Sequence, residues 1–425
     1  GAQSLEAINQ EAGAIIDEIT RIGNNAEYNG IKLFDNALSQ AGIPQLKSNG
    51  LMQEIEQRDT SGMTKLADVD ENETLAQGTY SISSAEELAK LATMQNRGKI
   101  TAGSEFVLGA DIDLSAYSEG EGWVAIGVDL DLDSNTDEHA FSGTFDGNGY
   151  TISNLTINHG RYGQVEGNAL SRKKVGLFGS VSNSTIKNLV LSDCDIDMSE
   201  RVVMTGCLAS TMAGDSNVIN CTVSGNIVCG DQSGAGLLAS VFSGNIENCY
   251  VTGNISGGNS TGGIVNSCAG TVNNCYANVN ITDTEIAGGI VGSCSSDLNI
   301  TNCASSGRID SYTAAGGILG EKKWSLRTYG TVNIDDSSFW GITSTYEEYG
   351  GVAGTLVGNA TVKNNSLLNI SAYYDSFLTD SEGLIGNLNS AVETDFKLTD
   401  VASNLQVGVD STKSSTIKFT TNISL

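Results

Sequence analysis

Self-similarity at intervals of 26 to 34 residues dominates this chain. A Gly-rich phrase recurs as VGLFGSV from Val175, TGCLAST from Thr205, AGLLASV from Ala235 and GGIVNSC from Gly262. It continues as GGIVGSC from Gly288, GGILGEK from Gly316, GGVAGTL from Gly350 and EGLIGNL from Glu382. Between successive copies lies a second phrase, as in SNVINCTVSGNIV, GNIENCYVTGNIS, GTVNNCYANVNIT and LNITNCASSGRID. Aligned, these phrases share one column: Asn188, Asn220, Asn248, Asn274, Asn302, Asp336 and Asn364. Apolar and polar residues alternate within them, and the helical period is absent. Short strands bounded by Gly, Asn and Ser cannot each bury a face alone, whereas stacked repeats bury a continuous core. A repeat of this length makes one rung of a parallel β-solenoid. At about 4.8 Å per rung, nine or so rungs from Phe141 to about Asp395 give a rod of roughly 45 Å.

Composition narrows what such a rod does. Fifty acidic residues stand against 22 basic ones, a formal net charge of −28. That excludes nucleic-acid binding by phosphate neutralisation, which needs a basic face, and disfavours docking on anionic lipid. No apolar run reaches the ~18 residues of a membrane helix, so no membrane insertion is expected. Hydrophobic residues make up 39%, enough for a sizeable core. All nine Cys lie between Cys194 and Cys303, which sets the central body apart from the two ends. A chain opening at Gly1 on a helix pattern is expected to be a piece of a longer protein.

The central phrases resemble the GLUG-type repeats of bacterial surface proteins, named for their Gly-Leu-any-Gly core. The lead-in agrees: YSISSAEELAKLA, FVLGADIDLS, GWVAIG and FSGTFDGNGYTISNLTI are similar to the first rungs that precede such arrays. The resemblance spans residues 79 to about 390. A short helix is expected over 84–92, N-capped by Ser83 or Ser84 with Glu87 in the capping-box position, and closing the open end of the solenoid.

The ends carry a second resemblance. Leu5, Ile8, Ile15, Ile19 and Ile22 form one helical stripe over residues 4–23, stopped by Gly23-Asn24-Asn25, and Asn29-Gly30 marks a turn. The stretch IDEITRIGNNAEYNGIKLFD, Ile16 to Asp35, resembles the N-terminal core segment of bacterial flagellins, with Thr20 where that family usually has Asp. LQVGVD from Leu405, followed by STIKFTTNISL, resembles the flagellin strand pair, with Val409 in place of the usual Ala. The long polymerising helices of flagellins have no counterpart here, so this piece is not expected to form filaments by itself. By the resemblance, Glu18 and the adjacent Arg21 face the host innate flagellin receptor; read as residues alone, they are an i, i+3 ion pair on a solvated helix.

The expected architecture is therefore mainly β: a right-handed parallel β-helix (solenoid) of GLUG-type repeats inserted into a small α/β flagellin-like core fragment. Residues 1–36 form the flagellin-like helix and turn, 37–77 a linker, 78–395 the β-helix and 396–425 the returning strands.

Chemistry is sparse. Cys221, Cys249, Cys275 and Cys303 share one repeat column, and Cys268 and Cys294 another. No Cys-x-x-Cys pair exists, so these are expected as small apolar core columns, neither metal sites nor redox centres. The Asn column is expected to form a hydrogen-bonded ladder along the rod axis, with glycan contact as its alternative use. The loop Asp129, Asp131, Asp133, Asn135, Asp137 is a weak calcium candidate, lacking Gly at the sixth place and Glu at the twelfth; a solvated acidic loop is the alternative. Neither His139 nor His159 sits in a catalytic phrase, no cofactor is implied, and no acidic pair converges, so no enzyme is expected. The functional expectation is a structural subunit of the flagellar filament, extracellular, whose outward variable domain serves surface display, adhesion or immune variation. Its expected partners are other flagellin subunits, the innate receptor, host glycans and antibodies. The alternative is a cell-surface adhesin or a non-catalytic stalk, and a third reading is a polysaccharide-active enzyme.

Overall fold

A computed structural model describes residues 27–28, 31–32, 46–128, 139–158, 174–199, 203–322, 330–345, 348–357, 360–369, 383–389 and 392–396. The expected helix over 4–23 with Glu18 and Arg21, the acidic loop from Asp129 to Asp137, and the strands beyond 396 lie outside these residues, as does the side chain of Asn364.

The described chain is a parallel β-solenoid of about nine turns. Register is kept along long stretches from one turn to the next and resumes after the β-bulges at Leu191/Cys194, Met212/Ser216 and Ile281/Thr284. Tyr250 pairs with Tyr276, Tyr276 with Ala304, and Ala304 with Ser338, all parallel. Each turn therefore places like residues in columns, and alternation along each strand sends one set inward. Ile186, Val218, Ile246, Val272, Ile300, Ile334 and Val362 form one fully buried column. Ile196, Ile227, Ile255, Ile281 and Ile309 form a second. A buried aliphatic side chain contributes about 1.5–3 kcal/mol, so these columns hold neighbouring turns together. The core is one continuous cluster from Leu66 to Val362.

The recurrent Gly-rich phrase marks a corner. A Cβ on Gly262, Gly288 or Gly316 would sit 2.0, 1.8 or 1.9 Å from the carbonyl oxygen three residues ahead. No side chain fits there, so the column admits only glycine. Elsewhere volume is exchanged between neighbours: Phe339 fills the space left by Gly317, whose Cβ would come within 2.3 Å of its ring.

At the N-terminal end a helix over Ala85–Asn96 occupies the turn between strands Thr79–Ile82 and Ser104–Leu108. It starts one residue later and ends four later than the expected 84–92. Ser84 is the N-cap, its hydroxyl accepting from Glu87 N–H at 3.2 Å. The Glu87 carboxylate returns the bond one residue upstream, accepting from Ser83 N–H at 2.8 Å. Leu88, Leu91 and Met94 enter the common core. The helix continues to Asn96 because Asn96 holds the next loop: its amide donates to Ala125 O and accepts from Gly127 and Val128 N–H. Aromatic rings fill the wide first turns, where Phe141 packs on Phe106 and Phe178.

Within the span 37–77, Thr64–Lys65 pairs in parallel with Tyr80–Ser81, and Leu66 and Leu75 belong to the core. Residues 46–60 take another course, along the outside of the solenoid. Near the N-terminus, Glu27–Tyr28 pairs antiparallel with Ile31–Lys32, on either side of the turn expected at Asn29-Gly30.

Candidate functional site: the asparagine corner and its strap

Asn188, Asn220, Asn248, Asn274, Asn302 and Asp336 all hold φ between 46° and 55°. This left-handed backbone is costly for most L-residues, and Asn and Asp tolerate it best after Gly. The column is thus first a corner, the point where the chain turns from one strand of a rung into the next. Its side chains then bond along the rod. Asn220 Nδ2 donates to Asn188 Oδ1 at 3.1 Å, and Asn274 Nδ2 to Asn248 Oδ1 at 2.6 Å. The row is not uniform. Asn188 donates to the buried Asp146 at 3.2 Å, and Asn302 turns to Asn273 at 3.4 Å.

The residue after each corner Asn points inward, and here the cysteines stand. Cys221, Cys249, Cys275 and Cys303 are buried and free. Each thiol donates to the carbonyl two residues earlier: Ile219, Glu247, Asn273 and Thr301, at 3.2–3.5 Å. In the next turn Ser337 makes the same bond to Asp335 O at 3.0 Å. A small donor is what the corner needs, and sulfur supplies it with the least polarity. In-register rows keep Cβ atoms about one 4.8 Å rung apart, beyond the ~3.5–4.5 Å of a disulfide. Burial pushes the Cys221 and Cys275 thiols well above their ordinary range, and that of Cys229 up to about 12. Cys268 and Cys294 are likewise buried and free, on neighbouring rungs. Among the described residues no group of three His, Cys, Asp or Glu side chains could hold a metal ion.

The corner also binds a segment of its own chain. Residues 46–60 run as a strap over the first Asn positions. Gln53 N–H donates to Asn220 Oδ1 at 2.9 Å while Asn220 Nδ2 donates to Gln53 O at 3.2 Å. Arg58 repeats the pairing with Asn148, at 2.7 and 3.0 Å. In both cases the side-chain amide takes the place of a neighbouring strand's peptide group. Thr222 Oγ1 adds a bond to Gly50 O at 2.6 Å, and Leu51 is fully buried. Arg58 then clamps Glu105 through two bonds, at 2.6 and 3.1 Å, and reaches Asp146 at 3.3 Å. The guanidinium holds the Glu105 carboxyl below its ordinary range.

Two further amide rows escaped the sequence reading. Asn226, Asn254 and Asn280 form an exposed ladder, with bonds of 2.8 and 3.0 Å ending on Arg308 N–H at 3.2 Å. Asn333 donates to Asn299 at 2.7 Å. The signal for the first was present in the phrases SGNIV, TGNIS and NVNIT, six residues beyond each corner Asn.

No family model matches the chain. A stretch of 160 residues is 34% identical to Halomucin of Haloquadratum walsbyi strain DSM 16790 / HBSQ001. It covers 37% of this chain and 2% of that protein, so the chain corresponds to a small part of this relative. Among solved structures, the chain is similar to a "putative immunoglobulin A1 protease" from Bacteroides ovatus. The TM-score is 0.42 at 20% identity, over 74% of this chain and 84% of that one. A likeness at that level carries no information about activity.

Proposed function

We propose that this chain is part of a bacterial flagellar filament subunit whose outward domain is the β-solenoid. The observation that carries the reading is the bracketing of the solenoid by two flagellin-like segments, Ile16–Asp35 and Leu405–Leu425, in the family's order. The hairpin pairing of Glu27–Tyr28 with Ile31–Lys32, inside the first of them, fits it. In this reading the rod is a non-catalytic display element, extracellular and repeated along the filament. The like subunits are its structural partners. The innate flagellin receptor meets Glu18 and Arg21, and host glycans and antibodies meet the solenoid.

A specific observation favours a second reading. The likeness to Halomucin, whose name marks it as mucin-like, supports a cell-surface protein, and with it an adhesin or stalk without a filament. Immunogold labelling of intact cells with antibodies to the solenoid separates the two. Gold along filaments is expected; gold on the cell body alone overturns the flagellar assignment. The reading frame on either side of this chain gives an independent check, since a flagellin carries long amphipathic helices on both flanks.

A further inference from the structure

Three successive rungs share a face without charge. Their strands pair in register as TVSGNIV from Thr222, YVTGNIS from Tyr250 and YANVNIT from Tyr276. None of these positions is Asp, Glu, Lys or Arg, in a chain of 50 acidic and 22 basic residues. Charge returns only at the margins. In the ladder column, Asp195 stands one rung before Asn226, and Arg308, paired with Asp310, one rung after Asn280. Asp283 reaches one edge, accepting from Ser256 Oγ at 3.0 Å.

Along the middle runs the ladder of Asn226, Asn254 and Asn280, all exposed. Its bonds hold each amide in place, so little side-chain freedom is left to lose on binding. They use one N–H of Asn254, one of Asn280 and none of Asn226. The other amide N–H groups have no acceptor among the described residues, so a donor is on offer at each rung, about 4.8 Å apart. The neighbouring column of Ser224, Thr252 and Asn278 adds hydroxyls and an amide. Beyond it Tyr250 and Tyr276 stack at 5.3 Å, and the Tyr276 hydroxyl meets Ser306 Oγ at 2.7 Å.

Pairing, size and charge select the occupant. Each of these strands is already bonded to a strand on both sides, so no peptide can add to the sheet here. Three rungs by three outward columns make a patch of about 14 by 20 Å, roughly 300 Å², well short of the ~800 Å² per partner of a stable protein interface. An anionic polymer would meet the exposed Asp193 and Asp195 at one end and a net charge of −28 overall. A slender neutral chain rich in oxygen acceptors meets none of these obstacles. We propose that this face binds a linear neutral polysaccharide laid along the rod, with Asn226, Asn254 and Asn280 donating to its oxygens. The inference deepens the display reading, on whose glycan-facing solenoid it rests, by giving the glycan a class and a place.

The probes are end-labelled fluorescent hexasaccharides of cellulose, chitin and amylose, with hexagalacturonate as the acidic control, titrated against the full chain by anisotropy. Saturable binding of at least one neutral probe is expected, and none of the acidic one. Binding should weaken about tenfold or more in the triple variant Asn226→Ala, Asn254→Ala, Asn280→Ala. It should be unchanged in Asn299→Ala with Asn333→Ala, which breaks an Asn pair outside the face. No binding of any neutral probe, equal binding by the triple variant, or equal binding of the acidic probe overturns the proposal. Side-chain amide NMR on the unaltered protein gives a reading free of any folding defect. Shifts at Asn226, Asn254 and Asn280 support the proposal; shifts confined to the corner residues Asn248, Asn274 and Asn302 overturn it. A dimer of the chain alone that the triple variant dissolves assigns the face to a second copy, and also overturns it. Failure here leaves the filament assignment standing, and gold on the cell body alone leaves the glycan face standing, so the two readings fail separately.

Discussion

Replacing Asn220 separates the two demands made on the corner. Its amide makes three hydrogen bonds, two with Gln53 and one with Asn188, at 2.9–3.2 Å, and its backbone holds φ at 53°. At about 1 kcal/mol net per bond, losing all three costs about 2–3 kcal/mol. Asn220→Gly removes the bonds and leaves the backbone unstrained. Asn220→Ala removes the same bonds and adds roughly 1 kcal/mol for a left-handed L-residue. A solenoid opens locally, so a global melt can miss the loss. Hydrogen exchange of residues 50–58 is the direct measure, with urea denaturation as the companion. Strap exchange should quicken by about 30-fold or more in Asn220→Gly, the factor that about 2 kcal/mol gives. The stability order should be Asn, then Gly, then Ala. An unchanged strap in Asn220→Gly refutes the idea that the amide seats it. Equal stability of Gly and Ala refutes the left-handed corner as the reason for Asn.

Gly288→Ala should cost about 3 kcal/mol or more in urea denaturation, because the new Cβ would lie 1.8 Å from Val291 O, a backbone atom that cannot step aside. All nine thiols should be silent to a thiol reagent in the native protein and react on unfolding, since every one is buried and free; fewer than nine on unfolding without reductant would reveal disulfides. The strap should loosen in acid. Glu105 has its folded pKa below its unfolded value, so its contribution is complete above about 4.3, the ordinary Glu value, and is lost as the pH falls through the depressed folded pKa. Strap exchange, corrected for intrinsic rate, should therefore rise below about pH 4, and an unchanged strap at pH 3 would refute the Arg58 latch.

The columns were legible because the interval was. Once GGIVNSC and GGIVGSC are set one above the other, Gly262 and Gly288, Cys268 and Cys294 fall into rows, and the structure keeps them there. Cys221, Cys249, Cys275 and Cys303 were placed inward by the same alignment. That their thiols bond the carbonyl two residues back follows from corner geometry, which a pattern of letters does not contain. The strap was not legible at all. Asn49–Thr60 has no repeat partner in the sequence, and its contacts with Asn148 and Asn220 lie 90 and 167 residues away. The exposed Asn226–Asn254–Asn280 ladder shares the repeat interval but sets no corner, so only its regular Asn spacing marks it in the sequence.

Columns that realign from turn to turn have a consequence for how such a rod changes length. Corner Asn248 and Asn274 are 26 residues apart, while Asn299 and Asn333 are 34 apart, and both pairs still meet. Part of such differences is taken up by β-bulges within the strands, and the columns realign beyond each one. A whole turn can therefore be duplicated or deleted as a unit, each such event moving the far end by about 4.8 Å without rewriting any contact within the turns that remain. The molecule is in effect a ruler graduated in rungs. Its reach can be reset by gain or loss of whole turns, while the strapped N-terminal turns stay as they are.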